Sequence, residues 1–105
     1  MKIIIPNRIK IGGHWVEIFY EDKLWENHGK YGQCRIHECE IALQNKDMSE
    51  SQKAHTLIHE LLHFIDSTYN NYGLEENAIN ALATGIHTLL VDSGVKFDFK
   101  KLKGK

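Results

Sequence analysis

The stretch Ser49-Glu50-Ser51-Gln52-Lys53-Ala54-His55-Thr56-Leu57-Ile58-His59-Glu60-Leu61-Leu62-His63-Phe64-Ile65-Asp66-Ser67-Thr68 decides the fold. Ala54, Leu57, Ile58, Leu61, Leu62 and Ile65 recur at the three- and four-residue spacing of one helix face. Ser49 and Gln52 make a capping box, each side chain satisfying a backbone donor at the helix start. Glu50 adds negative charge at the positive end of the helix dipole. From Ser67 to Asn70, small polar side chains compete for the backbone and end the segment. The spacing therefore predicts a helix from Glu50 to about Thr68. Within it, His59 and His63 stand four apart, one turn above the other on the same face. Two imidazoles so placed can share one metal ion, and Glu60 beside the first can serve as general base.

Downstream, Tyr72-Gly73 reads as a loop, and a second helix is expected from about Leu74 to Asp92. Ala78, Ile79, Leu82, Ala83, Ile86, Leu89 and Leu90 form its apolar stripe, and Ser93-Gly94 ends it. Val95 to Phe99 reads as a short packed tail.

Upstream, Ile3 to Ile5 and Ile9 to Ile11 are short apolar segments divided by Pro6-Asn7, and Gly12-Gly13 precedes an aromatic-rich strand from His14 to Tyr20. Glu21 to Gly32 reads mostly as loop. Cys34 and Ile36 share one strand parity, whereas Cys39, Ile41 and Leu43 share the other, so a turn near His37-Glu38 is required. That makes a hairpin whose second strand is Cys39 to Leu43. Strands first and helices after predict an α+β fold: a small antiparallel sheet packed on two main helices. At 105 residues the chain is read as a single domain, 1–105, with a frayed basic tail at about 100–105.

The hydrophobic share of 42% is that of an ordinary globular domain. A net charge of −1 gives no broad basic surface, so no nucleic-acid partner is expected. No signal peptide or membrane-length apolar run is evident, which predicts a cytoplasmic protein with Cys34 and Cys39 reduced. Trp15, Phe19, Tyr20 and Trp25 are expected to pack in the core and loops.

A catalytic zinc site needs a third protein ligand and an open fourth position. His55 cannot join His59 and His63, because it lies about 12 Å from His63 along the axis. Asp66 and Tyr69 stand where one zinc-protease class carries glycine and a third histidine, so that class is disfavoured. Asp66 reads as an ordinary helix carboxylate, and His87 as a surface or packing histidine. Glu75 and Glu76 open the second helix; Glu76 follows the stripe Ile79, Ala83, Ile86 and Leu90, but phase alone leaves both open.

Thr56 to Asp66, followed by Glu76-Asn77-Ala78-Ile79-Asn80-Ala81-Leu82-Ala83, resembles the ImmA/IrrE-like and SprT-like gluzincin metallopeptidases, especially their small phage- and prophage-encoded members. Those proteins carry a glutamate ligand in an E-x-x-x-N-x-[FL]-A-like string, and Glu76, Asn80, Leu82 and Ala83 fall in its register. Ile79 departs from it, standing where relatives often carry alanine. Gly29 to Gly32 and Glu40 to Leu43 also look like the family's loop and strand before the active-site helix. The resemblance implies Zn²⁺ held by His59, His63 and Glu76, Glu60 as catalytic base, and a peptide or protein substrate.

The expected activity is zinc-dependent peptide hydrolysis. The strand Cys39 to Leu43 is expected to take an extended peptide by edge addition, and Tyr69, Tyr72 and His55 are candidates to stabilise the oxyanion. The alternative is a catalytically silent, zinc-stabilised protein-binding module of phage origin, in which the metal supplies folding free energy to a small core.

Overall fold

The computed structural model describes residues 1–105. In chain order it contains β1 (Lys2–Ile4), β2 (Arg8–Ile11), β3 (His14–Tyr20), α1 (Leu24–His28), β4 (Gly32–Arg35), β5 (Glu40–Leu43), α2 (Glu50–Tyr69), α3 (Glu76–Asp92) and β6 (Lys96–Asp98). The class is α+β with two main helices, as the patterning predicts. The principal sheet has the order β2-β3-β5-β4 and is mixed, not antiparallel throughout. Both hairpins, β2–β3 and β4–β5, are antiparallel, whereas β3 and β5 run parallel. The physical cause is the crossover: α1 and β4 intervene, so β5 returns beside β3 in the same direction and leaves β4 on the outside. A second, two-stranded sheet pairs β1 with β6 in parallel.

The β4–β5 hairpin resolves the parity conflict. Cys39 takes a positive φ of 55° in the turn, and Cys34 then faces Ile41 while Gly32 faces Leu43. Both cysteines are free thiols. Segment 21–32, expected as loop, contains the short helix α1, closed by Gly29 in the left-handed region. α1 tucks Leu24 against Phe19 and Ala42 on the sheet face away from α2.

The main core lies between the sheet and α2. Val16, Ile18, Ile41 and Leu43 meet Ala54, Leu57 and Phe64, with Phe99 and Leu102 completing it. Each of the larger of these side chains contributes about 1.5–3 kcal/mol through burial. Phe64, not Ile65, closes the inward stripe of α2, and Ile65 is exposed. The last residues are docked, not frayed. Leu102 is buried, Tyr20 N donates to the Lys103 carbonyl at 2.8 Å, and Lys105 pairs with Glu40. The apolar anchors Phe99 and Leu102 outweigh the local run of lysines. Trp15 and Trp25 stay half exposed, against expectation. Arg8 lies over the Trp15 ring at 4.1 Å, so this indole stacks with a cation at the surface. No helix is long and apolar enough to cross a membrane.

Candidate metal centre

The capping box at the start of α2 is complete. Ser49 Oγ accepts from Gln52 N at 3.1 Å, and Ser49 N donates to Gln52 Oε1 at 2.8 Å. α2 then runs unbroken to Tyr69, holding His59 and His63 on one face. α3 begins at Glu76, with Glu75 as its N-cap residue.

A tight connection aims α3 back at α2. Asn71 and Tyr72 both take positive φ, and Asp66, only 5% exposed, ties the turn together. Its Oδ1 accepts from Asn70 Nδ2 at 2.9 Å and Leu74 N at 3.1 Å, while its carbonyl accepts from Asn70 N and Tyr72 N. A buried carboxylate in that role is not an ordinary helix residue: it positions the segment that delivers Glu76. Sequence reasoning missed this; the available signal was an acidic residue just before an Asn-rich turn.

The structure brings Glu76, and not Glu75, to the two imidazoles. His59 Nε2 and His63 Nε2 are 3.1 Å apart. Glu76 Oε1 lies 3.1 Å from His59 Nε2, and Glu76 Oε2 lies 3.1 Å from His63 Nε2. Donors around a tetrahedral ion with bonds of about 2.0–2.1 Å stand about 3.3 Å apart, so these three groups have the spacing and chemistry of a zinc-type donor set. Burial, reinforced by His63, lowers the pKa of His59 and favours the neutral imidazole that ligation requires.

Glu60 sits on the inner side of this group and is 9% exposed. Burial chiefly raises its pKa, opposed by His63 and Lys30 and assisted by the charge of Glu76. A carboxyl shifted upward is a better proton acceptor once ionised. Burial and then the Glu60 charge push the Cys34 thiol up to about 12, which keeps it protonated and unreactive. Gly32 allows β4 to reach Glu60. A Cβ there would lie 2.5 Å from Thr56 Cγ2 and 3.1 Å from Glu60 Cγ, so any other residue would force these side chains to shift.

The donor group opens into a cleft of about 830 Å³ between β4, α2 and α3. Lys30, Tyr31, Gln33, Cys34, Thr56 and Asn80 are among the residues that line it. The strand at its rim is β4, not the expected Cys39 to Leu43. β5 lies between β3 and β4 and has no free edge, because the crossover places it inside the sheet. The Tyr31 carbonyl accepts from Gln44 N, which sets the ladder's alternation. Gln33 and Arg35 therefore bond with β5, and Gly32 and Cys34 turn their N–H and C=O groups to the open edge.

The three oxyanion candidates separate. Tyr72 and His55 line the cleft. Tyr69 does not: its hydroxyl accepts from Gly12 N at 2.7 Å, fastening α2 to the β2–β3 turn. His87 packs between elements, stacked on His55 with ring centroids 5.0 Å apart and 3.2 Å from Ser51 Oγ.

No protein-family model matches the chain, and neither a curated protein nor a solved structure matches it.

Proposed function

We propose that the protein is a zinc-dependent, zincin-like metallopeptidase that hydrolyses peptide bonds in the cleft between β4 and the paired helices. The observation that supports this best is the group of His59, His63 and Glu76 with mutual separations of 3.1 Å, set beside the buried Glu60. His59 Nε2, His63 Nε2 and the Glu76 carboxylate would hold the ion. When bound, a divalent metal supplies a Lewis acid that polarises a carbonyl and brings a coordinated water's pKa to about 7. Glu60 takes the proton from water on its carboxylate and returns it to the departing amine nitrogen. Gly32 and Cys34 on the open edge of β4 would align an extended peptide by strand addition, and Lys30 offsets the negative charge of the cleft.

The alternative, a metal-stabilised binding module without turnover, is favoured by one feature: the donor group staples α2 to a helix that otherwise buries only Ile79 and Ala83. A single variant separates the two. Glu60→Gln is expected to keep one zinc per chain and to lose hydrolysis of a peptide library by about 10²–10⁴-fold. A variant that cleaves like the wild type would remove Glu60 from the chemistry. A wild-type protein that binds zinc and cleaves nothing would leave the binding module.

A further inference from the structure

Beside the cleft lies an aromatic pair that the hydrolytic machinery does not use. Trp25 of α1 and Tyr31, just before β4, stack with ring centroids 4.7 Å apart and planes within 7°. Both rings are open to solvent, Trp25 being 50% and Tyr31 42% exposed. One buried residue ties the backbones of both together. Gln44, 6% exposed, donates its backbone N–H to the Tyr31 carbonyl at 2.8 Å and accepts from Trp25 N at its Oε1, also at 2.8 Å. Stacked rings that each keep an outer face open to solvent, on backbones tied to one residue, can receive a further aromatic ring.

Position gives the pair its meaning. Tyr31 adjoins Gly32, the residue that abuts Glu60, and both border the cleft. An extended chain advances about 3.3 Å per residue and alternates its side chains between the two faces of a sheet. Gly32 and Cys34 face α2 and the catalytic side, because they pair with Leu43 and Ile41 of the main core. α1, which carries Trp25, covers the opposite face. A peptide laid on β4 must then direct every second side chain away from Glu60 and toward the stacked rings.

Resting on the proposed peptidase activity, the geometry points to Trp25 and Tyr31 as a specificity subsite for an aromatic side chain of the substrate, within about two residues of the scissile bond.

The test uses zinc-loaded protein and a fluorogenic peptide library in which one position at a time carries Phe, Tyr, Trp, Ala or Asp. The expected result is a preference for aromatic over alanine at one position near the cut, about three- to tenfold in kcat/KM, expressed mainly in KM. Trp25→Leu and Tyr31→Leu should each bring that ratio toward one; two variants guard against a folding defect in either. Cleavage indifferent to aromatic residues, or a preference that survives both substitutions, would overturn the subsite while leaving the peptidase reading intact. Absence of cleavage across the whole library would overturn both.

Discussion

Helix α2 is wedged between the sheet and α3 and buries Ala54, Leu57, Glu60 and Phe64, whereas α3, of similar length, buries only Ile79 and Ala83. The donor group straddles this divide. Two imidazoles ride on the embedded helix and one carboxylate on the lightly held one. The position of Glu76 therefore depends on the Asp66 turn and on the packing of α3 along α2. Two of the three donors are thus set within one helix and the third by the turn and packing of another.

Breaking the embedded half should have the largest effect. His59→Ala is expected to retain less than about a tenth of an equivalent of zinc after dialysis, whereas Glu76→Gln, which keeps an oxygen at the same place, should hold more. Elemental analysis of the two proteins decides this, and equal loss would show that the helices share the ion evenly. Ile79→Ala should cost about 2–5 kcal/mol, through a cavity at the main anchor of α3. Hydrogen exchange should report the damage in α3 and spare β3 and β5; uniform loss of protection would mean that α3 belongs to one cooperative unit with the sheet. Asp66→Ala should cost about 1–3 kcal/mol, because the Leu74 N–H and Asn70 amide lose their buried acceptor. Chemical denaturation in chelator measures that cost directly.

The smallest effect is one of pH. The fold raises the pKa of Glu60, so the stability associated with this group is present when it is protonated, below its unfolded value of about 4.3, and is lost as pH rises through the folded value. Glu60→Gln should therefore melt above the wild type in chelator at neutral pH, with the gap closing in acid. A gap that widened in acid would reverse the assigned direction.

Much of α2 was legible because its determinants are local: a capping box, a stripe and two histidines four apart all lie within twenty residues. The hairpin turn before β5 was legible from parity alone, and Glu76 from phase together with resemblance. The parallel pairing of β3 with β5 left no such mark, since neither strand's own pattern says which neighbour it takes. The same holds for β1 and β6, whose residues are remote in sequence. The sequence alone therefore does not mark β4 as the free edge, and the expected edge addition at Cys39 to Leu43 meets a strand that has none. The role of Asp66 is hidden because its carboxylate is held by one backbone N–H, of Leu74, and one side-chain amide, of Asn70, neither of which marks the pattern. The tail was misread because its lysines are conspicuous and its anchors, Phe99 and Leu102, are only two.

The marriage of β1 to β6, with Leu102 seated in the core, sets the order in which the molecule can be completed during synthesis. A nascent chain emerging from the ribosome can wind α2 early, since its signals are adjacent, but cannot seal the core until Leu102 is free. Until then Val16, Ile41 and Leu57 lack part of their cover, and histidines four apart on a local helix precede the enclosure that would surround them.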